Sequence, residues 1–366
     1  MASVVATAAA EVSVVQPTET GPSSFSPAAS PAQKQPLMAP GPAAAPQPPT
    51  RAPRRTDITI KDFQQKAYLG DGSFSDVILA RLKGDNKDVA LKAMDKMLLV
   101  REKKVEAVKT ERQILDRLDH PGVARLLYTF QSETTLYLAM EPFLRGELFD
   151  QIRLRRGLPL DAARQWAAEI VDILAYLRQE GVIHRDIKPE NFLLDERAHL
   201  TLIDFGSAKE VGGPDPDGNS FVGTADYVPP ELLDKKPVTP AADLWAFGCV
   251  LFQMLTGATP FCGDTEYLTL QRIHALDYAL PSDADADAAD LVRRLLVREP
   301  EERIGFADVG EVQRHAFFAG VDWGALRERE GPEVVELPRA PRMGSSMAEG
   351  DSSHSIGADL EKLGLR

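Results

Sequence analysis

The sequence predicts an α+β molecule of two lobes, a small antiparallel β-sheet lobe with one key helix followed by a larger, mainly helical lobe. Two observations predict this. Strand-like runs crowd the first part of a globular zone spanning about 58–325, and helical periodicity dominates the remainder. Strands first and helices later separate the two kinds of element in space, and chemistry is then expected in the cleft between them.

The small lobe covers about 58–141. Residues 63–69 and 76–82 read as strands flanking a loop that holds Gly70 and Gly72, and 88–94 alternates around Lys92. A helix is expected over about 105–118, then two further strands over 124–131 and 135–141. The large lobe covers about 142–325. Asp161 is the expected N-cap of a helix over 162–179, and Gly181 supplies its stop. Residues 244–255 are apolar on nearly every face, as in a helix buried inside a large domain.

Composition sets outer limits. The chain has 366 residues, 43% of them hydrophobic, enough for a sizeable core. A net charge of -13 argues against broad binding to nucleic acid or anionic membrane, though not against a local basic pocket. Two cysteines, Cys249 and Cys262, cannot make a disulfide framework or a structural zinc site. Cys249 lies in the apolar 243–255 run and is expected to be buried, and a reducing compartment fits. No run approaches the length needed to span a bilayer, so a cytoplasmic protein is expected.

Residues 1–55 are rich in Ala, Pro, Ser, Gln and Thr and are expected to form a disordered arm. A transit peptide is the alternative reading, opposed by Glu11, Glu19 and the late first basic residue, Lys34. Ala2 removes the myristoylation option. Residues 326–366 read as a flexible tail with a short helical attempt over 359–363.

Three motifs carry chemistry. In the 69–77 segment, Gly70 and Gly72 let a backbone approach phosphates closely; an ordinary hairpin turn is the competing reading. Lys92 sits on the apolar strand 89–93, where its charge needs an opposite one; the alternative is an edge-strand lysine facing water. Finally, His184-Arg185-Asp186 is followed by Asn191 and then by Asp204-Phe205-Gly206. This spacing places Asp186 where a substrate hydroxyl loses its proton, and Asn191 and Asp204 where Mg²⁺ is held against nucleotide phosphates. Lys188 would neutralise γ-phosphate charge. Read alone, Asp186 is also compatible with a turn before Lys188-Pro189.

With these motifs in order, the globular zone resembles the AGC group of Ser/Thr protein kinases, and within it the phosphoinositide-dependent kinases that phosphorylate other AGC kinases. The resemblance runs over about 63–325. It rests on Gly72-Ser73-Phe74-Ser75, Arg117-Leu118-Asp119-His120-Pro121, Gly146-Glu147-Leu148, the run from His184 to Asn191, Pro230-Glu231-Leu232-Leu233, Asp243-Leu244-Trp245-Ala246 and Leu295-Leu296-Val297. The run from Asn219 to Ala225 is its most family-specific part.

The resemblance implies the bilobal protein-kinase fold, with ATP and Mg²⁺ as cofactors and proteins as substrates. It implies Glu111 as the ion-pair partner of Lys92, where the helix pattern alone leaves Glu102 and Glu106 open. Leu69, Gly70, Gly72, Ser73, Val77, Ala90, Met140 and Leu193 would enclose the nucleotide. Backbone groups of Glu141 and Phe143 would meet the adenine edge, and Glu147 the ribose; Glu190 completes the nucleotide set. Ser220 matches the activation-loop phosphosite, with Arg185 as its pairing cation. Glu231 and Arg303 would form a buried ion pair.

A docking groove for the hydrophobic, phosphorylated tail of a substrate kinase maps to Lys96, Val100, Gln131 and Leu136, with Arg112 and Thr129 for the phosphate. From pattern alone, core is the default reading of Val100 and Leu136. A basic contact of the family falls at Asp57, leaving Arg54 and Arg55 to supply it. Ser75 replaces the third Gly of the kinase loop, and Pro229 the Ala of Ala-Pro-Glu. The chain stops where animal members continue into a lipid-binding domain, so direct lipid control is not expected. The expected function is phosphorylation of AGC-kinase activation loops. The alternatives are a Ser/Thr kinase with other substrates and a pseudokinase scaffold, against which intact Lys92, Asp186, Asn191 and Asp204 argue.

Overall fold

The computed structural model describes residues 57–72, 74–213 and 225–336. Calls falling on the 1–55 arm, Arg54, Arg55, Ser73, the 214–224 segment with Ser220, and 337–366 lie outside the described residues.

The small lobe is a five-stranded antiparallel sheet in the order β1-β2-β3-β5-β4. Its strands are β1 (Phe63–Gly72), β2 (Ser75–Leu82) and β3 (Lys87–Asp95), followed by helices α1 (Lys96–Arg101) and α2 (Val105–Arg117), then β4 (Leu126–Gln131) and β5 (Thr135–Met140). Gly70 and Gly72 belong to β1 itself, with Gly72 paired to Ser75, so the expected loop narrows to a tight hairpin. The period-two pattern divides the sheet faces. Ala80, Leu82, Val89, Leu91 and Ala139 pack on one side. Met94 and Leu138 pack on the other, against Leu99, Ile114 and Leu115 of the helices.

The large lobe contains α3 (Leu148–Arg155), α4 (Leu160–Gln179), β6 (Val182–Ile183), β7 (Phe192–Leu194), β8 (Leu200–Leu202), β9 (Lys209–Glu210), α5 (Pro230–Leu233), α6 (Ala241–Thr256), α7 (Glu266–Ala275), α8 (Ala286–Leu295) and α9 (Gly310–Gln313). α6 is buried on every side from Ala241 to Met254, as its unbroken apolar run requires. With α4 it forms the core that holds Trp166, Trp245 and Phe247.

Two expectations need correction. Asp161 does not cap α4: Pro159 occupies that position, and Asp161 lies inside the first turn, paired with Arg164 at 2.8 Å. Proline's fixed backbone starts this helix without any side-chain acceptor. The tail expected to be flexible from residue 326 is held against the large lobe as far as Glu336. Val335 and Gln151 exchange two hydrogen bonds, of 2.8 and 3.0 Å, and Arg145 pairs with Glu336 at 2.6 Å. Its polar composition reads as solvated, but the partners are a buried glutamine and backbone carbonyls that composition does not reveal.

Candidate active site

The small lobe presents its chemistry on one sheet face. Register pairs Val77 with Lys92 and Ala90 with Met140, so all four point to the side occupied by α2. Lys92 Nζ lies 2.7 Å from Glu111 Oε1 on α2 and 3.0 Å from Asp204 Oδ1 of the large lobe. The Lys92 side chain is 13% exposed, Glu111 2% and Asp204 47%, so the triad is dry at the helix and open at the cleft. Glu111, rather than Glu102 or Glu106, is therefore the partner.

In the large lobe, the turn from His184 to Asn191 is fixed from below. Asp243 of α6 accepts the backbone N–H groups of His184 and Arg185 at 2.8 and 2.9 Å. Arg185 takes φ of +66°, a strained value for a non-glycine residue, and that pair of bonds holds it. Asn191 Nδ2 donates to the Asp186 carbonyl at 2.7 Å and to Asp186 Oδ2 at 2.9 Å, and Lys188 Nζ lies 2.9 Å from the same oxygen. The Ile203 N–H donates to the Asn191 carbonyl at 2.9 Å, tying this turn to the link between β8 and Asp204. Asp204 is left-handed, at φ +58°. Beside it, a Cβ on Gly206 would come within 3.2 Å of Asp204 Oδ1. His184 and Phe205 are fully buried with rings 4.8 Å apart, edge to face.

Electrostatics follow from this packing. Burial lowers the pKa of the Lys92 ammonium, but the charges of Glu111 and Asp204 outweigh it and hold the group above its ordinary value. The Lys92 charge, working against burial, pulls Asp204 down to about 2. Burial pushes the Glu111 carboxyl up, opposed by Lys92. Burial, followed by the negative charges of Asp150 and Glu190, pushes Glu147 up to about 7. Burial also raises Glu190, whose Oε2 is buried without a hydrogen-bond partner among the described residues.

Below the sheet, Leu193 of β7 bridges to Glu147, and the Leu194 N–H donates to the Gly146 carbonyl at 3.0 Å. The Glu141 N–H donates to the Arg125 carbonyl at 3.3 Å. Leu69, Gly70, Gly72 and Phe143 lie on the strand and connecting loop that border this space. Arg185 Nε donates to the Ser207 carbonyl at 2.6 Å. Arg303 forks onto Glu231 with bonds of 2.7 and 2.6 Å, both side chains fully buried, and stacks over the Trp245 ring.

The groove positions also share a side. Thr129 faces Leu138 and Gln131 faces Leu136, so all four lie on the helix-facing side of the sheet. Val100 on α1 is 42% exposed, while Leu136 packs partly buried against the main core. Thr129, Gln131 and Arg112 are exposed. Lys96, at the start of α1, is buried, and its ammonium donates to the Ser132 carbonyl at 2.8 Å. Sequence reasoning assigned no role to Asp243, although an acid on an otherwise apolar helix was the available signal.

Residues 63–318 match the family described as protein kinase domain. The chain is 42% identical to 3-phosphoinositide-dependent protein kinase 1 of Arabidopsis thaliana over 86% of this chain and 66% of that one. It is 39% identical to the Rattus norvegicus protein of the same name over 84% of this chain and 54% of that one. To the putative 3-phosphoinositide-dependent protein kinase 2 of Homo sapiens it is 40% identical, over 75% and 71%. It thus spans between half and two thirds of the Arabidopsis and rat relatives. The fold is that of the protein kinase domain. The chain belongs to the protein kinase domain family, in the AGC group, with the 3-phosphoinositide-dependent protein kinases. No helix among the described residues is long and apolar enough to cross a membrane.

Proposed function

We propose that the chain is an ATP-dependent protein serine/threonine kinase acting on the activation loops of other AGC kinases. The observation that carries this reading is the Lys92–Glu111–Asp204 triad, joined through the backbone bond of Ile203 to Asn191 with the Asp186–Lys188–Asn191 cluster.

Phosphoryl transfer asks an enzyme for positioning and charge stabilisation rather than covalent chemistry. Lys92, held by Glu111, orients the α- and β-phosphates. Asp186 accepts the hydrogen bond of the substrate hydroxyl and aligns it with the γ-phosphorus, while Lys188 offsets the charge there. Val77, Ala90, Met140 and Leu193 supply apolar walls for an adenine, with Leu69, Gly70 and Gly72 over the phosphates. The Glu141 carbonyl and Phe143 backbone meet the base, and Glu147 and Glu190 the ribose side.

The donor set fits Mg²⁺. Asn191 donates through its nitrogen, so its amide oxygen is the atom that would serve as a ligand, and Asp204 stays ionised. One or two hard oxygen ligands plus phosphates is the usual protein share for that ion. Bound there, Mg²⁺ would neutralise phosphate charge.

The AGC-directed part of the proposal rests on the groove. Val100, Leu136 and Gln131 offer a partly apolar surface beside α2, with Arg112 and Thr129 at its polar edge. Ser220 is the proposed regulatory phosphosite, Arg185 its partner.

The test is to incubate purified chain with ATP, Mg²⁺ and a panel of unphosphorylated AGC kinases, and to map the modified residue. Phosphate on an activation-loop Ser or Thr is expected, absent with Asp186→Asn. Transfer unaffected by that change, or confined to unrelated proteins, would overturn the reading.

A further inference from the structure

At the turn between β7 and β8, His199 is 2% exposed and its partner on α4, Glu169, is fully buried. His199 Nδ1 lies 2.8 Å from Glu169 Oε1, and Nε2 lies 2.7 Å from the backbone carbonyl of Arg329. A carbonyl can only accept, so Nε2 must carry a hydrogen. The other oxygen of Glu169 accepts the Leu200 N–H at 2.7 Å. One further proton must therefore sit between Nδ1 and Glu169 Oε1. Without it, an imidazole lone pair would face a buried carboxylate.

Arg329 belongs to the segment following Trp323, which crosses the lobe toward the loop before α3. The same segment is fastened by the Gly331 N–H donating to the Arg197 carbonyl at 2.7 Å, by Arg327 donating to the Leu200 carbonyl at 2.8 Å, and by the Val335–Gln151 pair. We propose that the Glu169–His199 pair is a proton-dependent pin, which fastens the 327–336 strap to the large lobe while it holds its shared proton and slackens the strap when that proton is lost.

The charged groups around the pin are few. Glu169 comes from α4, and Asp195 from the turn that carries His199. Arg327 comes from the strap, with Nη2 3.7 Å from Glu169 Oε2. The Arg197–Glu330 pair closes the outer edge at 3.2 Å. Hydrogen bonding to Glu169 raises the imidazole above its ordinary 6.5, opposed by burial and aided by the charges of Glu169 and Asp195. With the clasped state binding the proton more tightly than the open one, which lacks the Arg329 carbonyl, the clasp is whole below the open-state value and weakens as pH rises through the clasped value. Between these limits the opening constant rises about tenfold per pH unit, and above them it levels off.

Hydrogen exchange of peptides covering 327–336 in the full chain, from pH 6 to 9 and corrected for intrinsic rates, tests the pin. Wild type should lose protection through the window above 6.5. Glu169→Gln keeps both contacts with a neutral imidazole, its amide donating to Nδ1 and its oxygen accepting the Leu200 N–H. Its strap protection should be independent of pH. Gly331→Ala is the control for strap opening by itself. A Cβ there would collide with the Ala198 carbonyl oxygen, so this variant should be loose at every pH. Constant protection in wild type, or the same pH dependence in Glu169→Gln, overturns the proposal. If Glu169→Gln does not fold, the wild-type profile and the titration of the His199 ring by NMR decide it. A ring titrating at or below 6.5 defeats it.

Discussion

Replacing Lys92 by Met separates two effects that sequence motifs lump together. Glu111 is 2% exposed and accepts the Lys92 ammonium at 2.7 Å. Without that cation its charge has no partner in a dry site. The carboxyl can escape by taking a proton, which bounds the penalty. From an ordinary value of 4.5, protonation at pH 7 spans 2.5 pH units, or about 3.4 kcal/mol at about 1.36 kcal/mol each. At pH 5 the same step costs about 0.7 kcal/mol. Destabilisation of Lys92→Met relative to wild type should therefore grow from under about 1 kcal/mol at pH 5 toward about 3 kcal/mol at pH 7. The sign follows from linkage, because the folded variant binds a proton at Glu111 that the unfolded chain releases.

Urea titrations at the two pH values measure this. The double variant Lys92→Met/Glu111→Gln should lose the pH dependence. Independently, the phosphoryl-transfer rate at saturating ATP should fall by about 10²–10³, the usual loss for one preorganised electrostatic contact. A destabilisation equal at both pH values would refute the buried-charge argument. Near-normal turnover would refute the phosphate-orienting role.

Three further outcomes are expected. Asp186→Asn should lower kcat by about 10³-fold with an unchanged denaturation midpoint, because the side chain's contacts to Asn191 and Lys188 are local to the cleft. Arg303→Met strands the fully buried Glu231 and should destabilise the fold by about 3–5 kcal/mol, read from chemical denaturation. Glu147 is pushed up to about 7, so it gains its charge as pH rises through neutrality. If its carboxylate receives the ribose hydroxyls, nucleotide affinity should increase between pH 6 and 8 and become flat in Glu147→Gln, as calorimetry would report.

What the sequence made legible was the chemistry whose partners are adjacent in the chain or imposed by strand register. Asp186, Lys188 and Asn191 meet within one turn, and Lys92 faces Val77 because both alternate on paired strands. What stayed hidden depends on long-range partners. Asp243 lies nearly sixty residues from the backbone it holds, and Gln151 waits for Val335 across most of the lobe. Short elements were missed too. α1 and α3 span two turns or fewer of regular pattern, too little for periodicity to stand out.

The same distinction bears on how the site is built. The large-lobe half is over-determined: Asp243 binds the catalytic turn at two N–H groups, His184 and Phe205 pack in the core, and Arg303 locks α5 to the region around α6. The small-lobe half reaches it at the cleft through Lys92 to the half-exposed Asp204, and behind α2 through Gly122 and Ala124, which exchange backbone bonds of 2.8 and 2.9 Å with Leu202. A contact bordered by solvent is weaker than one sealed in protein. Any relative movement of the lobes must therefore break at Lys92–Asp204 before it disturbs Lys92–Glu111. On this argument Asp204→Asn should leave the Lys92–Glu111 pair and the denaturation midpoint close to wild type while abolishing transfer. A large loss of stability in that variant would mean that the two halves are held together more tightly than their bonds imply.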